Sequence, residues 1–183
     1  MAFARPKKRN PVDEAGLFEY AVGTLARKMR TVRDLKRLMR PRAFEGAEGE
    51  GDMDAVVARL IDLKYLSDTR FAQDYTRMRK ENQGFGRRRV QQDLQMKGVD
   101  KELVSTTLAA AYDESDEVAL ARAYCDKKRI KQPVDQKETV RVMNRLMRAG
   151  YGSNAIFKLL QSWKIEVPAE VSDERDEYEL PEF

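Results

Sequence analysis

The chain has 183 residues, of which 36% are charged, 42% hydrophobic and only 8% aromatic. It contains no histidine, so Ser-His-Asp, Cys-His, His-metal and haem sites as usually built are excluded, and the one cysteine, Cys125, cannot form an internal disulfide. The net charge of +4 hides an asymmetry: residues 166–183 hold eight acids and one arginine, a net of −7, which leaves +11 on the first 165 residues.

A basic body of that size points to a polyanion or an acidic protein surface as partner, although charge alone leaves a merely solvated helical surface equally open. No apolar run reaches 18 residues, and the opening MAFARPKKRNP lacks the apolar core of a signal peptide. The expectation is a soluble, cytoplasmic, non-enzymatic chain that makes no membrane contact.

In chain order, residues 1–12 carry four bases, no acid and two prolines, and read as a disordered basic arm. Helical spacing then runs almost unbroken from Asp13 to Trp163. Leu17, Tyr20, Ala21 and Leu25 mark the first helix, and Val32, Leu35, Leu38 and Met39 the second, which stops before Pro41. Residues 43–52 (AFEGAEGEGD) read as a flexible Gly/Glu insertion whose charge would repel phosphate. Met53, Val56, Leu60 and Leu63 mark the third helix; Phe71, Tyr75 and Met78 the fourth, with Asp68 as expected N-cap. Val90 and Leu94 lie in the fifth, ending at Gly98, and Leu103, Val104 and Leu108 in the sixth. The last three span about 115–130, 136–149 and 153–163, and an acidic tail, 166–183, follows.

These nine helices group in threes. Leu94, Gly98, Val104 and Leu108 correspond to Leu146, Gly150, Ile156 and Leu160, all four pairs offset by 52 residues. Tyr20-Ala21, Phe71-Ala72 and Leu120-Ala121 occupy one position in three opening helices. The pattern predicts an all-α chain of three tandem three-helix repeats, 13–66, 67–112 and 114–163, stacked into an elongated curved array.

Bases concentrate around the second helix of each repeat: eight against one acid over 27–42, nine against four over 70–101, and nine against three over 122–148. Arg70 with Asp74, Arg77 with Glu81 and Arg89 with Asp93 form ordinary i, i+4 pairs. Arg30, Arg33, Arg37, Arg79, Lys80, Arg87, Arg88, Lys97, Lys127, Lys128 and Arg129 are assigned to a basic face that contacts the partner. Phe71, Tyr75 and Tyr124 fit core packing better than base stacking, as does Cys125. Asp113-Glu114 and Asp116-Glu117 complement a helix dipole better than they build an acid/base or magnesium site. A helix-turn-helix DNA reader over 84–112 is weak, since helix-Gly-helix is what any three-helix unit contains. No catalytic, metal or cofactor constellation emerges.

The stretch from Tyr65 to Val99 resembles the signature region of the RecX family of regulatory proteins. Tyr65, Leu66, Asp68, Arg70, Phe71, Ala72, Tyr75, Arg79, Gly86, Leu94, Lys97 and Gly98 stand at matching positions. Ser67-Asp68 where the family has paired Asp, the Gly/Glu insertion and the acidic tail depart from the pattern. The resemblance implies tandem three-helix units and a monomer bound in the groove of a RecA filament on single-stranded DNA, restraining strand exchange, ATP hydrolysis and repressor cleavage. Direct contact with single- or double-stranded DNA is also expected. A stand-alone DNA-binding helical repeat and an adaptor for acidic proteins are the alternatives.

Overall fold

The computed structural model describes residues 10–112 and 116–165; the expected acidic tail and all of the basic arm before Asn10 lie outside the described residues, as does the Asp113-Glu114 pair. Among the described residues the chain is all-α, with nine α-helices and no strand. These are α1 (Glu14–Arg27), α2 (Val32–Met39), α3 (Ala47–Asp62), α4 (Asp68–Met78), α5 (Arg87–Met96), α6 (Lys101–Tyr112), α7 (Glu117–Lys127), α8 (Gln136–Arg148) and α9 (Ser153–Ser162). Side-chain oxygens start most of them by accepting orphan N–H groups of the first turn. Asp13 accepts from Gly16, Thr31 from Asp34, Ser67 from Arg70, Asp100 from Leu103, Asp116 from Val118 and Asp135 from Glu138.

The chain divides into two compact units, the first made of Met1–Tyr75 and Asp93–Thr107, the second of Thr76–Gln92 and Leu108–Phe183. The boundary passes along α4, α5 and α6, so the middle three helices contribute to both units. In the first unit α1, α2 and α3 pack on one another around Leu17, Ala21, Leu35, Met39, Met53, Val56 and Leu60. In the second, α9 packs on α7 and α8 around Ala121, Cys125, Met143, Leu146, Ile156, Leu159 and Leu160. Periodicity located all of these but Met143 and Leu159, because burying apolar area is what gives the helical stripe its spacing.

The pairs offset by 52 residues share their structural state. Leu94, Leu146, Val104, Ile156, Leu108 and Leu160 are all buried, and Gly98 and Gly150 both end their helices in the left-handed region at φ +76° and +94°. Ala21, Ala72 and Ala121 are each fully buried.

Two local expectations need correction. Residues 47–52 of the Gly/Glu insertion are not a loop but the first turns of α3. Glu48 and Glu50 complement the helix N-terminus there, and Glu50 pairs with Arg40 at 2.8 Å, which offsets the poor propensity of the glycines. Asp68 is the first residue of α4 rather than its cap; Ser67 Oγ accepts the Arg70 N–H, leaving the Asp68 carboxylate to accept the Val32 N–H at 2.9 Å.

Candidate partner-binding site

In the first unit four of the assigned bases gather where α2 begins. Thr31, wholly buried, accepts from the Asp34 N–H at 3.1 Å and donates its hydroxyl to the Lys97 carbonyl at 2.8 Å. This seats the α2 N-terminus on the Lys97-Gly98 turn. A Cβ at Gly98 would stand 2.1 Å from Arg33 Cδ, so only glycine lets the Arg33 stem cross the turn. Arg33 and Arg37 are exposed. Asp34 accepts from Arg37 at 3.1 Å and lies 3.8 Å from Lys97 Nζ, which also sits 5.6 and 5.9 Å from the Tyr75 and Phe71 ring centroids. Arg30 is half-buried, and its Nε has no hydrogen-bond partner among the described residues. One carboxylate, Asp34, thus serves two of these cations, Arg37 and Lys97. Burial raises the pKa of Asp68, and the Val32 N–H bond offsets part of that rise.

The second unit repeats the seating. The Gly86 N–H donates to the Ala149 carbonyl at 2.8 Å and the Arg88 N–H to the Gly150 carbonyl at 3.2 Å, placing the start of α5 on the α8–α9 turn. Backbones meet so closely that a Cβ on Gly86 would fall 2.4 Å from the Gly150 oxygen. Arg88 emerges exposed and Arg87 half-buried, while Val90, three residues on, is completely buried. Beside them opens a pocket of about 290 Å³ with Tyr112, Leu120 and Tyr151 in its wall. The Tyr112 hydroxyl donates to the Phe85 carbonyl at 2.8 Å, and that of Tyr151 to Gly84 at 2.6 Å and Leu120 at 3.0 Å. Burial pushes the Tyr112 phenol up to about 12, and the Tyr151 phenol upward too, so both stay neutral donors.

A second group surrounds a π-helical turn, Arg79–Gln83, that closes α4. Arg79 bonds Gln83 and lies 5.5 Å from the Phe85 ring centroid. Lys80 donates to the Ala111 carbonyl and sits 5.1 Å from the Tyr112 ring. Lys127 donates to the Glu81 carbonyl at 3.1 Å, and Lys128 lies 5.9 Å from the Tyr124 ring. Arg129 is exposed, in the left-handed region at φ +52°.

The assigned bases therefore separate. Arg37 and Lys97 meet at Asp34, with Arg33 crossing the Gly98 turn beside them; Arg87 and Arg88 share the pocket rim; Arg79, Lys80 and Lys127 make their contacts around the π-helical turn, and Lys128 lies over Tyr124. Arg37, assigned to the basic face, is exposed while ion-paired with Asp34 at 3.1 Å. Phe71, Tyr75, Tyr124 and Cys125 are buried, as the sequence predicts. Sequence reasoning missed Thr31, Tyr112 and Tyr151; Thr31 was findable from its place three residues before Asp34 at a helix start. Among the described residues no group of three or more Cys, Asp or Glu is disposed to hold a metal, and no helix is long and apolar enough to cross a membrane.

Among the described residues, fold and site together define an all-helical protein in which α2 and α5 present bases from the head of the helix. Comparison with known proteins gives the class a name. A family model for the second three-helix domain of RecX matches residues 67–108. The chain is 30% identical over 130 residues to the regulatory protein RecX of Trichlorobacter lovleyi, covering 69% of this chain and 82% of that one. It is 27% identical over 179 residues to the regulatory protein RecX of Mycobacterium ulcerans, covering 96% of each. A crystal structure of RecX from Lactobacillus salivarius, 19% identical, superposes with a TM-score of 0.65 over 83% of this chain and 97% of that one. The chain belongs to the RecX family of regulatory proteins.

Proposed function

We propose that this chain binds the RecA filament on single-stranded DNA and modulates it, mainly by inhibiting recombinase, ATPase and coprotease activities in DNA repair and the SOS response. It acts in the cytoplasm as a monomer, without catalysis of its own, through Arg30, Arg33, Arg37, Lys97, Arg79, Lys80, Arg87, Arg88, Lys127, Lys128 and Arg129. The observation that carries the reading is the recurrent seating of a second helix on a helix-Gly-helix turn, which leaves Arg33 and Arg88 exposed at the head of α2 and α5. Arginine in such a place holds phosphate or carboxylate bidentately, the chemistry of a nucleoprotein surface.

RecA ATPase on single-stranded DNA, with this protein titrated at substoichiometric amounts, tests it. Progressive inhibition is expected. Unchanged hydrolysis together with steeply salt-dependent binding to bare DNA would instead favour a stand-alone DNA-binding repeat protein, since phosphate neutralisation gives log K a slope of about −0.9 per contact on duplex and about −0.7 on single strands.

A further inference from the structure

We propose that the pocket beside Arg88 is the docking site of this chain's own acidic segment, residues 166–183, which an anionic partner must displace. The pocket holds about 290 Å³, near the lower end of the roughly 300–1,000 Å³ of ligand clefts, room for one or two side chains. Its tyrosines donate their hydroxyls to backbone carbonyls, so they offer the pocket mainly ring surface. Arg87 and Arg88 supply the positive rim. Glu117, the one carboxylate among the described lining residues, is committed to the Gly152 N–H at 2.7 Å. An apolar floor under a cationic rim suits a ligand with apolar groups on one side and acids on the other.

Residues 166–183 have that composition: eight acids against Arg175, with Tyr178 and Leu180 alternating with Glu177 and Glu179. In an extended strand, alternate side chains face opposite sides, so Tyr178 and Leu180 would share one face and the two glutamates the other. Reach is sufficient. Gly152, in the pocket wall, immediately precedes α9, whose ten residues rise about 15 Å. Returning that distance from Ile165 takes about five extended residues at ~3.3 Å each, so everything from about Val171 onward can reach the pocket. A nucleic-acid phosphate, lacking an apolar body, would use the rim and leave the floor empty.

The docking stands on the pocket and the segment; only its consequence, competition with a partner, rests on the function proposed above. The test uses the full chain carrying Ser172→Cys, labelled with a nitroxide; Cys125 is buried, so the label goes to the new thiol. Paramagnetic broadening of the Gly86, Arg88 and Gly152 amides is expected, abolished by Arg88→Glu or by about 0.5 M salt. No broadening at these amides, or broadening that survives Arg88→Glu, overturns the docking. A second full-length variant, with Asp173, Asp176→Asn and Glu174, Glu177, Glu179→Gln, is then compared with wild type for a fluorescent single-stranded oligonucleotide at low salt. A tethered competitor at ~mM effective concentration predicts binding tighter by about threefold to tenfold. Tightening without broadening at the pocket means long-range repulsion and sinks the docking. Broadening with unchanged affinity keeps the docking and removes Arg88 from the DNA contacts.

Discussion

Asp68 joins two helices at the scale of one bond, its carboxylate accepting the first N–H of α2 while its backbone begins α4. Burial disfavours its charged form, which raises its pKa in the folded chain. The unfolded chain therefore gives up this proton first, and the group's stabilising contribution, complete below its unfolded value of 3.8, is lost as pH rises through the raised folded value. Asp68→Asn keeps an oxygen for Val32 and removes the titration. Urea midpoints should then show the variant gaining on wild type from pH 3 to pH 7; a constant difference would mean that burial of the charge is immaterial. Cys125 gives an independent probe of the second unit. Burial, with the Asp126 charge adding to it, pushes the thiol up to about 11. The thiolate is the nucleophile, so modification by a disulfide reagent at pH 8 should be slower than in denaturant by on the order of 100-fold.

At the scale of elements, three helix ends turn left-handed at bases rather than glycine: Lys64 at φ +62°, Arg129 at +52° and Lys164 at +57°. An L-residue there costs roughly 1–2 kcal/mol, partly offset in a glycine replacement by the freer unfolded chain. Lys64→Gly should raise stability by about 0.5–1 kcal/mol, seen as a rise of roughly 1–4 °C in melting temperature. Gly150→Ala should do the opposite by at least about 2 kcal/mol, because φ +94° is compounded by a new Cβ 2.3 Å from the Arg89 nitrogen. Gly98 and Gly150 were legible in the sequence because a helix-ending glycine between apolar stripes has a fixed offset. The head of α3 was not: glycines at 46, 49 and 51 argue for a loop locally, and the Arg40 that pairs with Glu50 is ten residues away. Ser67 and Asp68 are both good caps by type, and only the position of Val32 decides between them.

For the molecule as a whole, the sequence revealed where bases concentrate but not which of them the fold retains. Lys97 meets Asp34, Lys80 meets Ala111 and Lys127 meets Glu81 across separations that no local spacing encodes. What separates binding from folding is burial, and α5 places the two roles three residues apart. Val90 is wholly buried, so Val90→Asp puts a charge in an apolar core and should cost roughly 3 kcal/mol or more, read as lost helicity and melting temperature. Arg88 is exposed, with Gln92 rather than an acid one turn further along, and Arg87 is half-buried. Surface charges contribute little to folding, so Arg87→Glu with Arg88→Glu should leave circular dichroism and melting near wild type. The same double variant should no longer restrain RecA ATPase. Its log K for single-stranded DNA should lose about 1.4 of its slope against log salt if both arginines neutralise phosphates. A folded double variant that still inhibits at wild-type concentrations would move the working surface to the first unit, where Arg30, Arg33 and Arg37 become the residues to reverse.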